Sequence, residues 1–365
     1  MRPATASELL ERIAAVARPA GSAAEAEARD VCAGWLRDSG FEVVERPFSY
    51  SAFPGAWGTT IASGLLLVIA TVAAAGIATG AWGLDRTLSI ALVGVVAVAA
   101  AGRWAARYGT QSMPIMRRRG VNLEARRGVP RVWLIAHLDS KSQPISLLMR
   151  AGAAVLLACA WAALLVAWAA SAAAPVPMGL FVGLLGCAAA AAVTLLFSWV
   201  GTAGHGSLDN ASGVVTVLAA ARLLDLAIPV GVVVTSAEEF GLAGARAWVE
   251  GQPEGVAINC DGVDDRGVLA ITTGGWARGP WRRLAAAGVI GPGVRILRSL
   301  PGVLLDSTAF TDRGWAACTV SRGTRASLAR VHTRRDTLAR LSGSGIVGAS
   351  EMVASLAGAI IADGL

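Results

Sequence analysis

Five side chains of metal-binding type, His137, Asp209, Glu239, Asp261 and His332, lie far apart in the chain, and four of them follow an apolar, strand-like run. The run Val132–Ala136 stops at His137, with Asp139 two residues on; Val230–Ala237 stops at the pair Glu238 and Glu239. The shorter run Val256–Cys260 stops at Asp261, and Ala317–Val320 leads through a polar loop toward His332. Imidazole and carboxylate together suit zinc. Two such ions roughly 3.5–4 Å apart clamp the attacking and leaving groups of a hydrolysis, and need one ligand able to bridge them. Glu238 neighbours a ligand without being needed as one, so it is the candidate general base.

These residues act together only if the fold brings them together. Continuous apolar runs read as strands buried on both faces, and in open α/β sheets ligands bind beyond the carboxyl ends of such strands. The expected fold is therefore α/β, with a mixed, mostly parallel central sheet sandwiched by helices. A helical pattern over Val214–Leu226 follows Asp209, so Asp209 or Asn210 can also serve as its N-cap. The two glutamates admit a swap of roles, or a plain electrostatic role at the start of the following helix. His205 either reaches the pocket or sits in a loop at a membrane interface. Cys260 is either a ligand or a small buried strand residue.

The chain of 365 residues is 55% hydrophobic and only 16% charged, too apolar for an ordinary soluble enzyme. No charged residue occurs from Ser51 to Leu84 or from Ala151 to Leu208, and each stretch exceeds the roughly 20 apolar residues that cross a bilayer. Four spans are expected, at about 57–79, 87–106, 151–173 and 177–200, the second with Arg103 snorkelling to the interface. Short linkers turn each pair into a hairpin, over 51–108 and 147–201. Residues 1–50, 109–146 and 202–365 then form one polar domain on one side of the membrane.

Arg46, Arg103, Arg107, Arg117, Arg118, Arg119, Lys141 and Arg150 lie on the polar side of the hairpins, against Arg86 alone at the opposite turns. By the positive-inside rule the domain faces the cytoplasm from the cell (inner) membrane. The net charge of +7 is thus topology and headgroup attraction; no recognition motif argues for nucleic acid. Five cysteines without CxxC spacing fit a reduced compartment.

Six segments, Ala136–Ser140, Asp209–Gly213, Ala237–Ala245, Asn259–Asp261, Asp306–Phe310 and Val331–Thr337, in this order, resemble the zinc aminopeptidase family with a co-catalytic di-zinc site, whose relatives include glutamate carboxypeptidase and glutaminyl cyclase. The likeness reaches the opening Gly21–Val43. It implies a zinc exopeptidase-like fold and two zinc ions per chain, with Asp209 bridging, His137 and Asp261 on one ion, and Glu239 and His332 on the other. It also implies that Glu238 is the base and Asp139 the acceptor that orients the His137 imidazole. Asp306 and Ser307 would shape the substrate pocket, and Asp336 with Thr337 would fix the His332 loop. Two features depart from the family. Its soluble members lack membrane hairpins, and the tyrosine some of them turn toward the oxyanion has no counterpart, since the chain has only Tyr50 and Tyr108.

The function expected is a membrane-embedded, metal-dependent aminopeptidase acting on short peptides next to the lipid bilayer. The alternatives are a glutaminyl cyclase-like or other amide hydrolase, and a non-catalytic membrane scaffold on the same fold.

Overall fold

The computed structural model describes residues 5–274, 281, 283–285, 287–291, 293–299 and 302–363. Its strands are β1 (Glu42–Ser51), β2 (Arg117–Arg127), β3 (Val132–His137), β4 (Val230–Thr235), β5 (Val256–Val263), β6 (Val268–Thr273), β7 (Arg295–Arg298) and β8 (Ala316–Gly323). They form one mixed sheet in the order β1-β2-β4-β3-β5-β8-β6-β7. The central strands β4, β3, β5 and β8 run parallel, and every residue of β3 and β4 is buried. Strands of that composition are stable only when helices cover both faces.

Helices α1 (Ala6–Ile13) and α2 (Ala23–Asp38) precede the sheet, and two apolar helices, α3 (Phe53–Thr79) and α4 (Leu84–Trp104), follow β1. Two more, α5 (Leu147–Ser171) and α6 (Met178–Leu196), follow β3. Further helices among the described residues are α7 (Gly213–Leu223), α8 (Ala243–Val249), α9 (Asp306–Thr311), α10 (Arg325–Leu328) and α11 (Ser344–Asp363). On one face of the sheet, α1, α2, α7 and α11 share the main core, through Leu10, Leu36, Val217 and Leu356. On the other, Trp133, Trp248, Phe310 and Trp315 pack edge to face.

Each apolar hairpin enters where the chain is closed by backbone pairing. The antiparallel ribbon of β1 and β2 ends at Ser51 opposite Arg117, and α3 and α4 leave from there. The second hairpin leaves from Ser142 and Gly201, which form an isolated bridge. The ends of both insertions thus lie as close as those of an ordinary loop, and the sheet is unaffected.

All four hairpin helices are long and apolar enough to cross a membrane. The helix α3 starts at Phe53, earlier than expected, because Pro54 suits a first helical turn. The second apolar helix begins at Leu84 and extends to Ser112, past Ala106. Ser146 caps α5 through the Met149 N–H, moving that start forward too. A fifth helix, α11, is also apolar enough to span. It buries Val353, Leu356, Ala357 and Ile360 against the sheet layer, which accounts for its composition.

The hairpins pack on one another through Ala70, Ala73, Ala153, Ala160, Ala188 and Ala191 around Trp161 and Phe181. Small residues at such contacts let helix backbones approach closely. Their outer faces carry exposed Ile61, Leu65, Val68, Val93, Val96, Val155 and Val166.

Candidate metal centre

His137 is the last residue of β3, and Glu238 and Glu239 occupy a tight turn just after β4. Two non-glycine residues, Ala237 (φ 57°) and Leu242 (φ 63°), flank that turn in the left-handed region. Each costs about 1–3 kcal/mol, held by surrounding packing, and such strain gathers at functional sites. Asp261 lies within β5, where the pairing with β8 shifts register between Cys260 and Val263. It does not follow the strand, as the apolar run suggested: the bulge turns it. His332, also left-handed at φ 62°, sits in the loop beyond α10.

Asp209 precedes α7 in a non-helical turn, joined to Asn210 by a cis peptide. Ser212, not Asp209 or Asn210, is the N-cap of α7, and Asn210 Oδ1 accepts from the Gly213 and Gly262 N–H groups at 3.1 and 3.2 Å. That leaves the Asp209 carboxylate free for the cluster.

The five distant residues and Glu238 converge into two adjoining groups, His137 with Glu238 and Asp261, and His332 with Asp209 and Glu239. Within each group the donor atoms all lie within 4.8 Å of one another. Asp209 joins the two: its Oδ1 is 3.0 Å from His137 Nε2 and its Oδ2 is 2.8 Å from His332 Nε2. Asp261 Oδ1 lies 3.9 Å from His137 Nε2, and Glu239 Oε1 lies 3.4 Å from His332 Nε2.

The electrostatics are those of crowded, buried acids. Burial raises the Glu238 carboxyl well above the usual range; the His137 charge opposes this, while Glu239, Asp306 and Asp261 reinforce it. Burial works against a charged His137, but Glu238 together with Asp139, Asp209 and Asp261 holds its pKa well above the ordinary value. Burial also opposes an ionised Asp209, yet His332 and His137 hold its carboxyl well below. A divalent cation relieves such crowding. The donor set fits zinc, and Glu239 Oε1 is buried without a hydrogen-bond donor, as an oxygen reserved for a cation would be.

Asp139 does more than face the imidazole. His137 Nδ1 lies 3.1 Å from the Asp139 backbone carbonyl, while the carboxylate stands 3.7 Å away. Its two oxygens accept instead from the Glu238 and Glu239 N–H groups, at 3.1 and 3.2 Å. One residue thus ties a histidine to the glutamate turn. Asp336 does the same for Asp209, accepting from the Leu208 and Asp209 N–H groups at 2.8 and 3.0 Å.

Asp306 is fully buried and accepts from the Thr235 hydroxyl at 2.5 Å, which puts it beneath the cluster, with Ser307 beside Thr319. The His205 ring lies 3.3 Å from the Ala14 carbonyl and is in neither ligand group, and Cys260 is wholly buried. Tyr50 packs behind the glutamate turn against Phe240, and Tyr108 is exposed on the extension of α4.

Residues 122–357, more than half of the chain, match Peptidase family M28. The chain belongs to that family. This M28 metallopeptidase is similar in structure to an aminopeptidase from Aneurinibacillus sp. strain AM-1, at 15% identity and a TM-score of 0.55, over 98% of this chain and 93% of the other. A zinc aminopeptidase from Bacillus subtilis aligns at 13% identity and 0.54, over 96% and 93%. Porphyromonas gingivalis glutaminyl cyclase aligns at 14% and 0.53, over 96% of each chain. No curated protein sequence matches the chain.

Three residues around this cluster were not singled out by chemistry in the sequence. Lys141 contacts Glu239 Oε2; its position two residues after Asp139, as the sole lysine, was the available signal. Arg18 is fully buried and donates to the Leu138, Ile13, His205 and Gly206 carbonyls, clamping the loops that flank His137 and Asp209. Gly55, in the first turn of α3, touches the backbone of Phe240. Nothing local in sequence marks either of the last two.

Proposed function

We propose that this M28 metallopeptidase is a membrane-embedded aminopeptidase with two zinc ions, removing N-terminal residues from short peptides at the membrane surface. The observation that carries the reading is Asp209, whose two carboxylate oxygens each face the histidine of a different ligand group. His137 and Asp261 would hold one ion, Glu239 and His332 the other, with Asp209 shared. Bound there, zinc supplies Lewis acidity that polarises a peptide carbonyl and acidifies water.

The protein's own residues do the rest. Glu238, buried among carboxylates with a raised pKa, accepts the proton of the attacking water and returns it to the departing amine. Asp139 holds the Glu238 and Glu239 backbone in place.

Membrane embedding is supported by the exposed apolar faces of the hairpins and by the residues around their roots. Trp57, Trp104, Tyr108, Phe197 and Trp199 are all exposed at the end nearest the sheet, alongside Arg103 and Arg107. Aromatic girdles occur at membrane interfaces, and arginines beside them favour the cytoplasmic side. The first turn of α3 also touches the glutamate turn, which supports a position for the centre directly beneath that interface. Peptides released from membrane proteins, or partly held in lipid, fit this position.

The test is purification in detergent, metal analysis, and an aminoacyl-amide panel on native protein and Glu238→Gln. Both should hold about two zinc ions per chain, with turnover in the variant down by roughly 10²–10⁴-fold. Equal turnover removes Glu238 from the mechanism. The likeness to a glutaminyl cyclase supports a second reading, intramolecular acyl transfer on N-terminal glutamine. Product mass separates the two: cyclisation releases ammonia and keeps the residue, whereas the peptidase releases it.

A further inference from the structure

We propose that Lys141 makes the two halves of the metal centre unequal: the His137–Asp261 half loads first and tightly, and the His332–Glu239 half loads second and weakly. This rests on the two-ion reading above.

The ammonium of Lys141 contacts Glu239 Oε2 and is only 11% exposed. It is the only lysine in the chain, so no neighbouring lysine shares its place. Glu239 therefore offers its other oxygen, Oε1, to the centre, on the side of His332 Nε2. In the opposite half, His137 faces Glu238 and Asp261, and neither carboxylate forms an ion pair with a lysine or arginine among the described residues. A cation entering the His332 half meets the shared Asp209, one compensated carboxylate and a fixed positive charge. A cation entering the His137 half meets the shared Asp209 and carboxylates that have no lysine or arginine beside them among the described residues.

The lysine is held there. The Ser140 N–H donates to the Arg18 carbonyl, and the Ser140 hydroxyl to the Gly204 carbonyl. Ser142 and Gly201 exchange both backbone hydrogen bonds, at 3.0 and 2.7 Å. The Gln143 N–H then donates to the His332 carbonyl at 2.6 Å. The Lys141 backbone is pinned on both sides by the root of the second hairpin, which also fixes His332. Its side chain can bend away from an incoming ion, but its charge stays close.

A unit charge within several ångströms of a divalent ion in a partly buried site changes affinity by roughly tenfold or more, even after solvent screening. The experiment is calorimetric titration of zinc, under chelator competition, into metal-stripped full-length protein in detergent, comparing native protein with Lys141→Met, Lys141→Gln and Lys141→Arg. The native protein should show two steps of clearly different affinity. Methionine and glutamine should tighten the weaker step by about tenfold or more and leave the tighter one in place, and arginine should keep the gap. Two native steps of equal affinity, or a weaker step unmoved by both neutral variants, overturns the role of Lys141. If the native protein takes up no stoichiometric zinc at all, the two-ion reading itself fails. Two substitutions of different shape guard against a folding defect in one of them.

Discussion

Gly55 should be intolerant of even a methyl group, and the reason lies in the glutamate turn. A Cβ added there falls 2.4 Å from Phe240 Cα, 2.8 Å from the Phe240 carbonyl carbon and 3.2 Å from the Glu239 carbonyl oxygen. Ordinary carbon contacts lie at about 3.5–4.0 Å, so Gly55→Ala demands a displacement of at least about 1 Å. The partner is backbone, so no rotamer change relieves it. The helix α3 is packed within the hairpin bundle, whereas the turn is already strained at Ala237 and Leu242; the turn should give way. Misplacing a catalytic group by about 1 Å costs on the order of 10²-fold in rate. The assay is kcat/KM on an aminoacyl amide in detergent, with metal content and thermal midpoint measured on the same samples. Gly58→Ala is the control, since a Cβ there meets no atom within 4 Å. Alanine also favours the helix at both sites by about 1 kcal/mol, so a loss at Gly55 alone cannot come from helix propensity. Activity of Gly55→Ala within about threefold of native, or an equal fall at Gly58→Ala, refutes the coupling of α3 to the turn.

Asp139→Asn turns one acceptor oxygen into a donor facing an N–H of the glutamate turn; zinc affinity, read by chelator competition, should fall by roughly 10–100-fold. Burial, then the nearby Asp139 charge, lifts the Glu25 carboxyl from 4.5 to about 7, so the folded protein keeps a proton that the unfolded chain has released. Stability from this group is therefore present in acid and lost as pH rises from about 5 to 7, on the order of 2–3 kcal/mol. Glu25→Gln, which keeps an acceptor for the Gly21 N–H, should make the fall of thermal midpoint with pH shallower; an unchanged slope refutes it. Replacing residues 53–115 by a two-residue turn joins strands already paired at Ser51 and Arg117. The sheet should survive in circular dichroism while peptidase activity is lost, and full activity on a soluble peptide would contradict a role for the first hairpin in the site.

Much of the centre was legible because apolar strands advertise where they end. His137 and the glutamate pair stand at the ends of fully buried β3 and β4, and the parallel order of β4, β3 and β5 makes such ends converge. The apolar stretches were as plain, since each runs uncharged for longer than the roughly 20 residues a spanning helix needs. What stayed hidden depends on backbone geometry that side-chain type does not encode. Asp139 reads as a partner for His137, beside which it does lie; what the sequence does not show is that the left-handed Ala237 also turns the amides of Glu238 and Glu239 onto its carboxylate. Asp261 reads as the residue after a strand, but a register shift puts it inside one. Arg18 reads as one arginine among many; only the fold sets its guanidinium among five carbonyls from three segments.

The two hairpins differ from passive anchors in where they grip. The first closes around the glutamate turn: Gly55 abuts Phe240, and Thr110, on the extension of α4, lies where a Cβ on Gly241 would meet it at 2.9 Å. The second reaches the other half of the centre, through Lys141 to Glu239 and through the Gln143 N–H to His332. Gln143 in turn donates to the Ser198 carbonyl at 2.6 Å and receives Arg150 from the first turns of α5. Each insertion therefore shares hydrogen bonds or backbone contacts with a proposed ligand or the proposed base. Since a site of this kind tolerates displacements of only about half an ångström, any tilt of the hairpin helices would be transmitted to the spacing of the donor atoms. If the hairpins span a membrane as proposed, that coupling gives a physical reason for a peptidase fold to carry them inside the domain, at the roots of the loops that bear the proposed ligands, when a single terminal helix would suffice as an anchor.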